Sequence, residues 1–309
     1  MTITPGGGGL KLPGQGGARL GVPSGAAARA DLPEIYEADP GDALPSICVI
    51  GASGTGKTHQ LGLLVKHLAT KGLATIVVSV ENKHQGIARL RPLVLPIGAP
   101  VRTTTGARPA TATEKYNRLI AFRDELREGK YREHLGRPVG ALVTDGLMEI
   151  GAIVKSHKLD NMPTSRGGEQ NTFRAFDEMG VAIIDLMASF REAASDAGKA
   201  YGIAPLTVVA TCGEVLKDGK FQAMLPGNQA PNMLAYQFEA IFRLAVEATE
   251  MGSTEVQYVA HTTPGETAYP QTGRWDAKAP SGLFGQKIVN PNLGEIYEKL
   301  VTNYKEGAE

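Results

Sequence analysis

The sequence predicts an α/β fold in which a mostly parallel central sheet is flanked by helices and extended by an antiparallel hairpin on its C-terminal side. The main observation is a strand, a helix and a second strand within about 35 residues, over 47–50, 57–70 and 74–80. The intervening helix makes the two strands parallel, because it returns the chain to the same end of the sheet. Further apolar strands at 141–144 and 206–212 each come after a helical stretch.

Apolar spacing, caps and turn residues predict the other elements. Thr111 and Glu114 have the spacing of a capping box and start a helix. Asp218-Gly219 lies between short apolar stretches, which is typical of a hairpin turn. Helices are expected over 111–128, 172–194 and 292–304, strands over 240–246 and 255–261 as an antiparallel pair, and loops over 91–110 and 155–171.

The N-terminal region has a different composition from the rest of the chain. Residues 1–46 contain 10 glycines and 6 prolines. Such a segment has little apolar surface to offset its ordering entropy, so we expect a flexible arm over residues 1–43 and an α/β domain over 44–309. The N-terminal arm is interpreted as either a passive linker or a tail that binds a partner.

Composition excludes several classes of protein. The 32 basic and 32 acidic residues give zero net charge, so any nucleic acid or membrane partner would need a local patch. Two cysteines, Cys48 and Cys212, exclude a disulfide scaffold and a four-cysteine zinc site. No apolar run reaches the length of a membrane span, and the start lacks the features of a signal peptide. We therefore expect a reduced, cytoplasmic protein without a membrane partner.

The segment GASGTGKT fits the phosphate-binding pattern G-x-x-x-x-G-K-[ST] and lies between a predicted strand and a predicted helix. Glycines let the backbone N–H groups surround a phosphate, and the helix N-terminus also favours an anion. In this pattern the lysine contacts the β- and γ-phosphates of ATP and the hydroxyl ligates Mg²⁺. The predicted nucleotide-binding residues are Gly51, Ala52, Ser53, Gly54, Thr55, Gly56, Lys57, Thr58 and His59.

Two carboxylates follow predicted strands, where ligands of an open parallel sheet collect. Asp145 ends the strand ALVT and is interpreted as a second Mg²⁺ group opposite Thr58; its alternative role is to cap a turn. Glu81 follows the strand over 74–80 and could deprotonate the attacking water; its alternative is a solvated loop acid. The predicted catalytic residues are Lys57, Glu81 and Asp145.

Thr211 and Cys212 come at the end of another predicted strand. They are candidates for sensing the γ-phosphate. Cys212 is equally compatible with a small core hydrophobe.

Four features together resemble RecA-like P-loop ATPases. They are the GASGTGKT segment, Glu81 at 24 residues beyond Lys57, the strand ALVTD, and residues 224–244, which are similar to the family passage PG-x-x-A … FD-x-[VI]-x-[RL]. Glu239 stands where that passage often has aspartate. Within the class, the chain looks like phage-encoded nucleotide-binding proteins that include single-strand-annealing recombinases. The likeness covers roughly residues 44–300.

The resemblance implies a RecA-like sheet order and a homo-oligomer. The strand before the glycine-rich segment would lie beside the strand over 207–211, with the Asp145 strand beyond it. Such enzymes complete their site with a cation from a neighbouring subunit. Arg274 and Lys278 occupy the comparable region, and their alternative is a pair of solvated loop cations.

The resemblance also implies contact with single-stranded DNA through residues 146–171 and 213–233. These contain Lys155, His157, Lys158 and Arg166, and Lys217, Lys220 and Phe221, respectively. Residues 89–137 form a second basic region, with 11 Lys or Arg against 5 Asp or Glu. Basic groups with an aromatic can bind a single strand, although solvated surfaces have the same composition.

These observations predict Mg²⁺-dependent ATP hydrolysis by a RecA-like ATPase acting on single-stranded DNA in phage-type recombination, replication or repair. One alternative is a small-molecule or nucleotide kinase, with Arg102 and Arg108 in its lid. Another is a nucleotide-binding module of a larger assembly that does not hydrolyse its ligand.

Overall fold

A computed structural model describes residues 44–80, 83–161, 172–195, 205–227, 229–250, 253–267 and 272–306. The predicted N-terminal arm and Glu81 lie outside these ranges. The helices are α1 (Lys57–Thr70), α2 (Ala112–Arg127), α3 (Leu147–Asp160), α4 (Thr172–Ala194), α5 (Gln229–Met233) and α6 (Leu293–Glu306). The strands are β1 (Ser46–Gly51), β2 (Ala74–Ser79), β3 (Leu93–Pro96), β4 (Val101–Thr103), β5 (Gly106–Arg108), β6 (Glu133–His134), β7 (Arg137–Asp145), β8 (Thr207–Lys217), β9 (Lys220–Ala223), β10 (Ala240–Ala248), β11 (Val256–His261), β12 (Gly265–Thr267), β13 (Gly273–Trp275) and β14 (Lys287–Val289).

The central sheet has the order β3-β2-β7-β8-β1-β10-β11-β14. In this order, the six strands β3, β2, β7, β8, β1 and β10 are parallel to one another. The strands β11 and β14 continue the sheet with antiparallel pairing. This confirms the predicted fold class. The sheet order implied by the resemblance is also present, since β1 lies beside β8 and β7 lies beyond it.

Helices cover both faces of this sheet. On one face, α2, α3 and α4 contribute Phe122, Ile150 and Phe190 to a buried apolar cluster. On the other face, α1 and α6 contribute Leu64 and Leu300. Strands buried on both sides are apolar throughout, which is why ICVI was readable as a central strand.

The carboxyl ends of neighbouring parallel strands meet at one edge of the sheet. Gly51 at the end of β1 is in register with Gly213 of β8. Asp145 at the end of β7 is in register with Thr211 of β8 and with Ser79 at the end of β2. The register therefore gathers the predicted site residues of three strands beside the start of α1.

Beyond Gly213, β8 leaves the central sheet and forms an antiparallel hairpin with β9. Asp218 and Gly219 have φ values of 51° and 70°, which confirms the predicted turn. The strand β13 pairs with β9, and β12 pairs with β13. Residues 214–223 together with β12 and β13 are called the sheet arm below.

Two loop predictions were wrong in part. Residues 93–96 (LVLP) form β3 beside β2, and 101–108 form the β4–β5 hairpin. Residues 147–160 form α3, so 155–160 are helical. The apolar side chains of Leu147, Ile150 and Val154 mark its buried side. The polar sequence after Val154 belongs to the outward-facing end of this helix, which is why it lacked apolar periodicity.

Other elements fit their predictions more closely. The helix α1 has the expected bounds, and α2 begins after Thr111 with a complete capping box to Glu114. Among the described helices, none combines the length and apolarity needed to cross a membrane.

Candidate functional site

The segment between β1 and α1 folds as a tight loop whose conformation requires glycine. In this glycine loop (residues 51–56), Gly54 and Gly56 have φ values of 82° and 88°, a region that favours glycine. Gly56 is the N-cap of α1, so the loop ends at the helix N-terminus. A Cβ at Gly51 would lie 2.7 Å from the carbonyl oxygen of Leu244 in β10, so the neighbouring strand leaves no room for a side chain. The arrangement suits an anion, because the N-terminus of a helix, with its dipole and its first N–H groups, favours negative charge.

Lys57 lies over the glycine loop. Its Nζ donates hydrogen bonds of 2.7 Å to the carbonyl oxygens of Gly51 and Ala52. Burial lowers the pKa of Lys57, and the carboxylates of Glu214, Asp145 and Glu149 act in the opposite direction. The ammonium group is therefore a partly desolvated cation beside three carboxylates.

Asp145 is held by hydroxyl groups from two elements. Thr211 donates to one carboxylate oxygen at 2.8 Å, and Thr58 donates to the other at 3.4 Å. The backbone N–H of Gly146 donates to the Thr211 hydroxyl at 3.0 Å, which fixes that hydroxyl. The structure thus brings Thr58 and Asp145 together, and it places Thr211, a sequence candidate for sensing the γ-phosphate, against the same carboxylate.

A central cleft of about 540 Å³ opens above these groups. It is lined by the glycine loop, the first residues of α1, the ends of β2, β7 and β8, and the first turn of α3. Glu149 and Glu214 also line it, and neither was a sequence candidate. A Cβ at Gly146 would overlap the carboxylate of Glu149, so this carboxylate folds back over the start of α3. Glu149 and Glu214 come together only because α3 and β8 pack beside each other, and the local sequence carries no signal for that packing.

Glu81 lies outside the described residues, so its predicted role stays a prediction. The structure does place Ser79, two residues before it, on the wall of the central cleft. The carboxyl end of β2 therefore reaches the cleft.

Cys212 belongs to the core and not to the cleft wall. Its side chain is 0% exposed and packs within the cluster beneath α3 and α4. Burial raises the pKa of the Cys212 thiol to about 12, so the group stays neutral. Of the two candidates at this strand, Thr211 is the one whose side chain contacts a site residue.

A side cavity of about 570 Å³ adjoins the central cleft, and Gly56 and His59 line both. The Tyr258 side chain of β11 forms one wall, 46% exposed, and its ring would lie 3.9 Å from a Cβ at Gly56. His59, from the predicted nucleotide-binding set, also lines this cavity. Gln60 connects α1 to the start of α6, donating to the Pro291 carbonyl at 2.7 Å and accepting from the Leu293 N–H at 2.9 Å. These two hydrogen bonds connect α1 and the start of α6 at the cavity wall.

The two predicted trans cations occupy different surroundings. Arg274 on β13 is 80% exposed and lies 3.6 Å from Glu266. Lys278 pairs through its backbone with Ile241, which is in register with Cys48 and so lies away from the glycine loop. Burial lowers the pKa of Lys278. Exposure makes Arg274 the better placed of the two to reach a second subunit.

Many of the predicted DNA-contacting cations are engaged within the chain. Lys220 forms a 2.6 Å ion pair with Asp276, and the Phe221 ring lies against Arg243. In the basic region over 89–137, several cations pair with carboxylates or donate to backbone carbonyls; they include Arg108, Arg118, Arg127, Lys130 and Arg132. The predicted DNA loop over 146–171 is largely replaced by α3, and 162–171 lie outside the described residues. Composition therefore overstated the free charge of these regions.

Comparison with known proteins gives distant structural likenesses. No protein-family model and no curated protein matches the chain. The assembled ATPase EscN of the enteropathogenic E. coli type III secretion system matches at 15% identity and a TM-score of 0.39, over 65% of this chain and 43% of that chain. A prototypical type III secretion ATPase of pathogenic bacteria matches at 14% identity and a TM-score of 0.38, over 66% and 54%. The chain spans about half the length of these structures. At such distances the likeness does not identify a function.

Proposed function

We propose that this protein binds and hydrolyses ATP in a Mg²⁺-dependent reaction. The observation that carries the proposal is the convergence of the glycine loop, the Lys57 ammonium group and the Thr58–Asp145 pair at one edge of a parallel sheet. The loop supplies N–H groups for a polyphosphate, and Lys57 supplies the compensating charge. Hydrolysis by such a site depends mainly on positioning and charge, and the cation and carboxylate gathered here support the proposal.

The groups beside the glycine loop suit magnesium. A hydroxyl and a carboxylate, 3.4 Å apart, offer the hard oxygen atoms that Mg²⁺ prefers. Mg²⁺ usually keeps several waters and takes further ligands from substrate phosphates, so two protein groups are enough to hold it. We propose that Thr58 and Asp145 hold Mg²⁺, which would neutralise charge on the transferring phosphoryl group.

We further propose Glu81 as the residue that orients and deprotonates water. The support is the position of Ser79 at the cleft wall, because a residue two positions further lies just beyond the same strand end. A carboxylate that follows this strand is the type of group that can deprotonate an attacking water.

The finer proposal is a cytoplasmic homo-oligomer that acts on single-stranded DNA in phage-type recombination, replication or repair. Its support is the sequence resemblance and the exposure of Arg274 on the sheet arm. In an oligomer, Arg274 would stabilise charge on the phosphoryl group of a neighbouring subunit. The pairing of Lys220 with Asp276 means that DNA would have to compete for this cation.

A phosphate-release assay with Mg²⁺ and ATP, with and without a single-stranded oligonucleotide, tests the proposal. We expect basal turnover that the oligonucleotide raises at low salt and not at high salt, because phosphate contacts depend on ionic strength. Turnover that requires a small acceptor would instead indicate a kinase. Tight ATP binding without turnover would indicate a non-hydrolysing module. Turnover unaffected by DNA would retain the ATPase and remove the DNA partner.

The side cavity predicts where the nucleoside lies. It adjoins the glycine loop, and the Tyr258 ring offers a flat apolar surface on which a base can stack. We expect Tyr258→Ala to weaken Mg-ATP binding by about 5- to 150-fold, as stacking contributes roughly 1–3 kcal/mol. Binding of inorganic triphosphate should not change, because it has no base, and Tyr258→Phe should bind both normally. Equal weakening of ATP and triphosphate, measured by calorimetry, would contradict this location.

A further inference from the structure

The wall of the central cleft contains a buried ion pair that connects it to the sheet arm. Glu214, which lines the cleft, accepts two hydrogen bonds from Arg243 of β10, at 2.8 Å from Nε and 3.0 Å from Nη2. The side chains are 6% and 9% exposed, respectively. A paired and buried charge of this kind is held in place, because leaving either partner alone in the interior is costly.

Arg243 also packs against two aromatic rings of the sheet arm. Its guanidinium carbon lies 4.3 Å from the centre of the Phe221 ring and 4.8 Å from that of Trp275. Phe221 and Trp275 are register partners on β9 and β13. A planar cation packed on two neighbouring rings has a preferred position, which a small displacement of the carboxylate would alter.

The pair also sits where the glycine loop and the sheet arm begin. Arg243 is in register with Ile50, the residue before Gly51, and Glu214 is the first residue of β8 beyond Gly213. The Glu214 carboxylate is close enough to Lys57 to oppose the lowering of the pKa of that lysine. Glu214 therefore faces one cation that is expected to bind phosphate and one cation that packs on the arm.

We propose that the Glu214–Arg243 pair couples occupancy of the central cleft to the position of the sheet arm; this rests on the proposed nucleotide site. A polyphosphate bound to Lys57 neutralises part of the lysine charge, which weakens the attraction between Lys57 and Glu214. The phosphate also places negative charge beside the Glu214 carboxylate. The attraction to Arg243 then supplies more of the electrostatic stabilisation of the Glu214 carboxylate. The guanidinium of Arg243 therefore moves relative to Phe221 and Trp275. By linkage, a partner that binds the arm changes nucleotide affinity by the same factor as nucleotide changes affinity for that partner.

Trp275 provides a direct test, because it is the only tryptophan of the chain. Its ring is 8% exposed, and its indole N–H donates to the Thr263 carbonyl at 3.2 Å. Movement of a charge 4.8 Å from the ring centre alters the energy of indole emission. Mg-ATP and inorganic triphosphate are titrated into the full chain while emission is recorded, and calorimetry measures binding separately. We expect both ligands to change the emission, and the ligand concentration at half of that change should equal the concentration at half-saturation measured by calorimetry.

Two variants test whether the emission change depends on the contacts of Arg243. Arg243→Lys retains the charge and loses the bidentate, planar contact, so binding should persist while most of the emission change is lost. Phe221→Leu leaves the ion pair intact and removes one ring, so it should reduce the emission change even where Arg243→Lys is poorly folded. Arg127→Lys, at an exposed pair with Glu192, is the matched control and should respond like the wild type.

The outcomes separate this coupling from the nucleotide site itself. Binding without any emission change in the wild type would overturn the coupling and leave the proposed ATPase standing. A full emission change in both Arg243→Lys and Phe221→Leu would also overturn it. Absence of binding for both ligands would overturn the proposed nucleotide site, and the coupling with it.

Discussion

Lys57→Ala is expected to lower kcat/KM for ATP by about 10²- to 10³-fold, the loss typical of removing one preorganised group that stabilises transition-state charge. The Nζ of Lys57 lies 2.7 Å from two carbonyl oxygens of the glycine loop, and residues 51–56 of that loop include no lysine or arginine that could supply the same cation. Phosphate release at several ATP concentrations measures the effect, and calorimetry with Mg-ATP shows how much of it is lost binding.

The folded protein should tolerate this substitution. Burial lowers the pKa of Lys57, which means that the charged form is less favourable in the folded chain than in the unfolded one. Removing the ammonium group removes a partly desolvated charge together with its two hydrogen bonds to loop carbonyls, and because these losses oppose each other we expect thermal unfolding to show only a small change in stability. Lys66→Ala is the matched control, since Lys66 is an exposed lysine of the same helix. Unchanged turnover in Lys57→Ala, or an equal loss in Lys66→Ala, would contradict the role of Lys57.

The sequence was sufficient for the parts of the site that are local. Three consecutive residues, Gly56 at positive φ, Lys57 and Thr58, lie where the glycine loop meets the start of α1. Because they are adjacent in sequence, their relative positions follow from the local backbone conformation. The capping box of α2 was equally readable, because Thr111 and Glu114 contact each other within the first helical turn. Such features depend on few distant contacts.

The parts that escaped prediction depend on long-range packing. Glu214 and Arg243 are 29 positions apart and meet only because β8 and β10 flank β1. Tyr258 reaches Gly56 across the edge of the sheet, and no periodicity marks it. The strand β3 was missed because a four-residue run ending at Pro96 has too little pattern to distinguish it from a loop.

Asp145→Asn is the second substitution expected to have a large effect, because it removes the carboxylate proposed to hold Mg²⁺. The asparagine side chain keeps the shape and one acceptor oxygen, but its amide nitrogen cannot accept the hydrogen bond that Thr58 or Thr211 donates. We expect turnover to fall about 100-fold and the Mg²⁺ concentration for half-maximal activity to rise at least about 10-fold. A Mg²⁺ titration of phosphate release at saturating ATP measures both.

Thr211→Val separates the orientation of Asp145 from its charge. Valine has nearly the same shape as threonine and removes the hydroxyl that holds one carboxylate oxygen at 2.8 Å, while the negative charge remains. A smaller rise in the Mg²⁺ requirement than in Asp145→Asn is therefore expected, with ATP binding retained. Asp185→Asn on α4, away from the cleft lining, is the control for removing one carboxylate. If Asp145→Asn kept the wild-type Mg²⁺ dependence, Asp145 would cap the turn at Gly146 and the metal would have to be held by other groups.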